Sequence, residues 1–321
     1  MTAPRFVSKE EVALLLPMGE CIGVMKEAFR NLADGKCLQP LRSLMWLPDR
    51  KGLLGMMPGY AQGPGILGIK VITVFHGNRD IGLPSHQGTV NLFDSNTGTP
   101  LLIADAMEIT SIRTAAASAL ATSMLSREDS EKLAIIGAGE QAERHIQAIS
   151  LVRKISEVFL WGRNEERAFE LAHKITSNSK LTVSVKKSVA EAVQHADIIC
   201  TVTSSSQPVL RGEWIQPGTH INAVGACSPN ARELDTNAVQ MSSLFTDSYE
   251  SLCNEAGDFL IPKNEGAIDE AHIKGILSEL VSGTKKGRTG QDEITLFKSL
   301  GIAAEDIFSA WHIYQKIKGS S

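Results

Sequence analysis

Short apolar runs alternate with amphipathic stretches through the middle of the chain, and this rhythm predicts a doubly wound α/β domain around a parallel sheet. Strands buried on both faces read as continuous apolar runs bounded by turn residues. Such runs fall at residues 133–136, 158–161, 181–185, 197–203, 220–224 and 243–247. Helical segments separate them. One begins near Glu140, and Ser188-Val-Ala-Glu191 is a capping box that opens another, since its hydroxyl and carboxylate can each satisfy a backbone N–H that the first turn leaves bare. Strand and helix in alternation imply parallel neighbours joined by crossovers.

The first 112 residues follow a different pattern. Ser8-Lys-Glu-Glu11 is a capping box, and Cys21, Ile22, Met25, Phe29 and Leu32 form an apolar stripe that ends at Gly35, so two helices open the chain. Short β-like runs follow at 53–57, 68–75 and 89–93, punctuated by Pro and Gly, which predicts an α+β domain. Residues 110–125, rich in Ala and Ser, form the helix that leads into the middle domain. The tail at 296–318 reads as a closing helix that returns to the first domain. A chain of 321 residues exceeds the usual span of one core. The expected division is 1–112 with 304–321 against 113–303.

Gly137-Ala-Gly139-Glu-Gln-Ala142 directly follows the first apolar run of the middle domain. Gly137 allows a tight turn, Gly139 lets the backbone approach a pyrophosphate, and Ala142 permits close packing of helix on strand. A helix starting at Glu140 aims its free N–H groups and positive dipole end at the same place. Gly137, Ala138, Gly139, Glu140 and Gln141 are therefore candidate cofactor contacts in a Rossmann-type fold. Glycine-rich turns also occur without nucleotide, so the end of the second strand carries the discriminating information. An NAD enzyme places Asp or Glu there, about 20 residues on, to bind the ribose 2′-hydroxyl. This chain has Gly162, followed by Arg163 and Asn164, with Arg167 one turn later. Positive charge and hydrogen-bond donors in place of an acid predict NADP(H) in preference to NAD(H). Glu165 and Glu166 are read as first-turn acids favoured by the helix dipole. Ligands of such sheets lie at the carboxyl ends of strands, which adds Thr201, Val202, Thr203 and Val224.

Composition narrows the setting. With 43% hydrophobic and 21% charged residues and a net charge of -4, the chain has no basic excess for a nucleic-acid partner. Five scattered cysteines without a C-x-x-C pair point to neither a disulfide framework nor a metal site, and fit a reducing, cytoplasmic setting. Glu10, Glu11 and Pro17 interrupt the N-terminal apolar run, so neither a signal peptide nor a membrane span is expected.

Three cations stand out in apolar surroundings of the first domain. Arg42 follows Pro40-Leu41, Lys70 interrupts the run Gly68-Ile-Lys-Val-Ile72, and Arg113 lies within Thr110-Ser-Ile-Arg-Thr114. A lysine inside a buried strand is costly without a partner; on an edge strand it would simply face water. For Arg42 and Arg113, an interface ion pair and a solvated helix face are the competing readings.

Landmarks spread along nearly the whole chain resemble one family. They are Pro40-Leu-Arg42, Met57-Pro58, Gly68-Ile-Lys70, Pro84-Ser-His-Gln87, Arg113-Thr-Ala-Ala116, Gly137-Ala-Gly139, His220-Ile-Asn-Ala-Val-Gly225, Arg232-Glu-Leu-Asp235 and Phe297-Lys-Ser-Leu-Gly301. The chain resembles the ornithine cyclodeaminase/mu-crystallin family. The resemblance implies a homodimer with a Rossmann-type domain and an N-terminal substrate-binding and dimerisation domain completed by the C-terminal helix. It implies that Arg42, Lys70 and Arg113 clamp a substrate carboxylate, with Lys70 near enough to a reacting nitrogen to manage its proton. It places Ser85, His86 and Gln87 near the nicotinamide and its phosphates, with Arg113, Ser299 and Gly301 among the cofactor contacts. His86 is read as a hydrogen-bonding neighbour rather than a general acid.

One departure from the cyclodeaminases bears on the reaction. They carry an Asp two residues after the glycine of Asn-Ala-Val-Gly, where this chain has Cys227. Cys227 thus takes a substrate-side position as a small neutral residue, either reactive or merely packing. The expected activity is NADPH-dependent reduction of carboxylated C=N bonds, such as those of piperideine- or pyrroline-2-carboxylate. The alternatives are an alanine-dehydrogenase-like enzyme, an ornithine or lysine cyclodeaminase, and a mu-crystallin-type binder of thyroid hormone or lens structural protein. A small carboxylated imine or an amino acid is the expected substrate.

Overall fold

The computed structural model describes residues 4–319, apart from the side chains of His76 and Arg79. Residues 1–3 and 320–321 of the expected first domain lie outside the described residues. The chain divides into two units, one holding the residues up to Arg113 and those from Gly301 on, the other Thr114–Leu300. The seams thus fall one residue later and three residues earlier than the sequence suggests. Arg113 and Gly301, at the two seams, each make contacts within the first unit that are given below.

The first unit is built on a seven-stranded sheet: β1 (Arg5–Val7), β2 (Cys37–Leu38), β3 (Ser43–Trp46), β4 (Leu53–Ala61), β5 (Ile66–Val74), β6 (His86–Asp94) and β7 (Pro100–Asp105). The order is β1-β7-β6-β5-β4-β2, with β3 also on β4, and β4 to β7 pair antiparallel. Helices α1 (Lys9–Leu15) and α2 (Met18–Ala33) lie between β1 and β2 along the chain, and the Ser8 capping box forms as expected. Side chains alternate across a strand, and one face of this sheet is buried through Met57, Ala61, Ile66, Val90 and Leu92. The C-terminal helix (Ala303–Gly319) packs on β4, β5 and β6 and against α2. Two paired glycines allow that approach, Gly59 opposite Gly68. A Cβ at Gly68 would come within 2.5 Å of Ile307, and one at Gly59 within 3.2 Å of Ala303.

The second unit holds eight strands: β8 (Lys132–Ile136), β9 (Glu157–Trp161), β10 (Thr182–Val185), β11 (Ile198–Thr201), β12 (His220–Ala223), β13 (Ser243–Thr246), β14 (Ile273–Ile276) and β15 (Thr295–Lys298). All pair parallel in the order β10-β9-β8-β11-β12-β15-β13-β14. The helix α3 (Ala106–Leu125) ends in this unit; α4 (Glu140–Val152) and α5 (Glu165–Asn178) follow β8 and β9. The order reverses between β8 and β11, the switch point at which doubly wound sheets bind ligands. Core residues include Ala134, Ile199, Ile221, Leu296 and Phe259.

The expected closing helix at 296–318 is corrected. Its first residues form β15, inserted between β12 and β13, and helix begins only at Ala303. Every residue of β15 is buried. A strand covered on both faces shows the same unbroken apolar run as a buried helical turn, so periodicity cannot separate them. The strands β1, β2, β3, β7 and β14 also lie outside the expected set. Among the described residues, no helix is long and apolar enough to cross a membrane.

Candidate active site

In the first unit the three cations converge. Lys70 lies on β5, flanked on both sides by β4 and β6, and is 3% exposed. The solvated edge-strand reading is therefore overturned. Its partner comes from the C-terminal helix: Asp306 Oδ2 stands 2.8 Å from Lys70 Nζ. The other oxygen of Asp306 is 3.0 Å from Arg113 Nε, and Glu305 Oε2 lies 2.6 Å from Arg113 Nη1. Lys70 also donates to Thr110 Oγ1 at 3.3 Å. Arg42 donates to the carbonyl of Gly301 at 2.9 Å. Gly301 has a positive φ of 75°, and a Cβ there would fall 2.5 Å from Arg113 Nη1. Only glycine suits both the turn and that close approach.

Burial lowers the Lys70 pKa to about 8, opposed by Asp306 and assisted by Arg113 and Arg42. For Asp306, burial acts upward, but Arg113 and Lys70 hold the carboxyl below its ordinary value. Lys70 thus meets the partner that a buried lysine needs, and Arg113 is paired as well. They are held in place by two acids that sequence reading missed. A signal was available: Glu305-Asp306 sits between Ala303-Ala304 and Ile307-Phe308, the same embedding of charge in apolar sequence that marked Lys70.

Ser85, His86 and Gln87 also belong to the first unit. Ser85 Oγ and His86 Nδ1 are 3.0 Å apart. His86 pairs with Val74 and Lys70 with Val90 on the same hairpin, so by strand alternation His86 shares the Lys70 face, whereas Gln87 is exposed on the opposite one.

In the second unit, the remaining candidates cluster at the carboxyl ends of the strands. Gly139 is the N-cap of α4 and makes no side-chain cap; the space where its Cβ would be is open. The first N–H groups of α4 therefore face room for an anion. Gly137 has a φ of 131° and its missing Cβ would be 2.7 Å from the Val202 carbonyl. Gly162 is closed in the same way: a Cβ would lie 2.8 Å from that of Ala138. Arg163 is exposed, and Asn164 caps α5 by accepting from the Arg167 N–H at 2.9 Å. The buried oxygens Gln141 Oε1 and Ser299 Oγ have no partner among the described residues. This set fits a dinucleotide: room at a helix N-terminus, and polar atoms unmatched by protein.

Two expected contacts change character. The Thr201 and Thr203 hydroxyls are both taken by Glu233, at 2.9 and 2.7 Å, and Thr201 is fully buried. Both hydroxyl protons are thus committed at the end of β11. Cys227 is exposed, with Sγ 3.6 Å from the Val224 carbonyl, so it is not a core-packing residue.

A model of the ornithine cyclodeaminase/mu-crystallin family matches residues 3–321. The chain belongs to this family. Among its members, the mouse (Mus musculus) protein named ketimine reductase mu-crystallin is 38% identical over 97% of both chains. The structure of Thermococcus litoralis Δ1-pyrroline-2-carboxylate reductase, in complex with NADH and L-proline, is similar with a TM-score of 0.95. It is 39% identical and 98% of each chain is covered. An archaeal alanine dehydrogenase dimer with bound NAD gives a TM-score of 0.93 at 32% identity, covering 99% of this chain and 97% of that one.

Proposed function

We propose that the protein is an NAD(P)H-dependent reductase of carboxylated C=N bonds, with a cyclic imine such as Δ1-pyrroline-2-carboxylate as substrate. Kinship with ketimine and pyrroline-2-carboxylate reductases supports the reaction class. The charge inventory of the first unit carries the substrate reading. Arg42, Lys70 and Arg113 gather there around Asp306 and Glu305, a set of cationic donors suited to a carboxylate. Arg42 and Arg113 hold and orient the carboxylate. Lys70 donates a proton to the imine nitrogen and regains one from water. The reduced nicotinamide, when bound, supplies the hydride. Positioning and field are what the protein contributes.

The second unit supports NADPH over NADH. An acid at position 162 would need space that Ala138 occupies, while Arg163 is exposed at the end of β9. A charge-assisted contact to a 2′-phosphate is worth roughly 1.5 to 3 kcal/mol, about tenfold or more in affinity. Steady-state assays with Δ1-pyrroline-2-carboxylate should show turnover with at least a tenfold lower KM for NADPH than for NADH, and proline as product. No proline should form from ornithine and oxidised cofactor, because Cys227 cannot serve as the acid of a cyclodeaminase. Cofactor binding without turnover would favour the binding-protein alternative.

The outward face of the first sheet supports a homodimer. It presents Leu38 and Leu67, 68% and 41% exposed, and a groove of about 310 Å³ lined by Pro40, Pro58, Tyr60 and Phe93 as well. Exposed apolar surface of this kind marks interaction sites, and the similar alanine dehydrogenase is named a dimer. Light scattering should give twice the chain mass of 34.6 kDa. The double variant Leu38→Glu/Leu67→Glu should shift it to a monomer; an unaltered protein that runs as a monomer refutes this assembly.

A further inference from the structure

Glu233 reaches the strand ends of the second unit from a distant loop and is fully buried. Its Oε2 accepts from Thr201 Oγ1 at 2.9 Å and from the Gly225 N–H at 2.6 Å. Its Oε1 accepts from both the N–H and the hydroxyl of Thr203 at 2.7 Å. One carboxylate thereby ties the end of β11 to the end of β12. The Glu233 and Leu234 N–H groups in turn donate to Asp258 Oδ1 at 2.8 and 3.0 Å, and Asp258 Oδ2 pairs with Lys298 Nζ of β15 at 2.9 Å. Three adjacent strands end on one buried network.

A buried carboxylate is tolerated only when fully hydrogen-bonded, and here each oxygen already takes two donors. Glu233 therefore has no capacity left for a ligand. Burial pushes its pKa up and Lys298 draws it back. A backbone N–H points at each oxygen, so both oxygens accept. The fit is tight as well: a Cβ on Gly225 would lie 2.0 Å from the Thr203 carbonyl and 2.7 Å from Glu233 Oε1. The glycine loop packs on Val202 at the end of β11 but also has an anchor of its own, Gly137 N–H to the Trp161 carbonyl at 2.8 Å.

We propose that Glu233 is a positioning residue: it sets the ends of β11 and β12 where the nicotinamide half of the cofactor lies, and leaves the adenosine half to the glycine loop. This rests on the reading of the second unit as a nicotinamide-nucleotide site. Glutamine at 233 cannot replace the acid, because either orientation of its amide points NH2 at the N–H of Thr203 or of Gly225.

The test compares two ligands by calorimetry on the full chain, NADPH and 2′-phospho-ADP-ribose, which lacks nicotinamide. In Glu233→Gln the NADPH Kd should rise tenfold or more while that for 2′-phospho-ADP-ribose stays within twofold. Thr203→Val removes one of the four donors and keeps the backbone bond, so it should weaken NADPH about threefold without touching the fragment; it decides the matter if Glu233→Gln does not fold. Parallel loss of both ligands, or unchanged NADPH affinity, overturns the positioning role. Failure of the unaltered protein to bind either ligand would instead remove the cofactor reading itself, and the proposal with it.

Discussion

Lys70→Met is expected to lower kcat/KM for Δ1-pyrroline-2-carboxylate by at least a hundredfold while the fold persists. Methionine keeps the length and apolar stem of lysine but removes the charge and the proton. Loss of a buried charged contact costs roughly 3 kcal/mol, and each factor of ten is about 1.4 kcal/mol. The pH profile supplies the sharper readout. Lys70 titrates at about 8, and its donor role needs the ammonium, so kcat/KM should be flat below that value and fall as pH rises through it. The groups that face Lys70 are Asp306, Arg113, Arg42 and Thr110. Among the charged ones, Asp306 alone raises its pKa. In Asp306→Asn the alkaline limb should therefore move to lower pH, measured with the same substrate so that its own titration cancels. A limb that stays in place would show that Lys70 is not the proton donor.

Arg113→Ala is expected to act on stability and turnover together. Removing the guanidinium leaves Glu305 and Asp306, both fully buried, short of a counter-charge. Breaking a buried ion pair from one side costs about 3–5 kcal/mol. For a unit of this size that corresponds to a fall of roughly 10 °C in the melting temperature. The kcat/KM should drop by a hundredfold or more, mostly through loss of carboxylate orientation. Glu305→Gln, which keeps shape and one acceptor, should restore part of the stability when combined with Arg113→Ala, and none of the activity. Calorimetry and assays on the two variants separate the effects; near-normal turnover in Arg113→Ala would exclude it from the site.

The parallel sheet was legible from residues 132 to 247 because its strands, apart from the half-buried edge strand β10, are covered on both faces, and such strands announce themselves as apolar runs. The glycine turn was legible because its geometry is a backbone property, and Gly137, Gly139 and Gly162 are written directly in the chain. The embedded cations Arg42, Lys70 and Arg113 were visible as anomalies of polarity. Their meaning was not. Local pattern says that a buried charge needs a partner, but the partner may lie anywhere: Lys70, on a strand of the first sheet, finds Asp306 on the helix that closes the chain. The same holds for Glu233, whose donors come from two other strand ends, and for β15, which only its neighbours distinguish from a helix. Readable along the chain are the properties that one residue or one short period carries: strand burial, turn geometry, the lack of an acid at Gly162. Which charges neutralise one another, and on which carboxylate a strand end is hung, was decided only by tertiary structure, because ion pairing and buried hydrogen bonds depend on distance in space and are blind to distance along the chain.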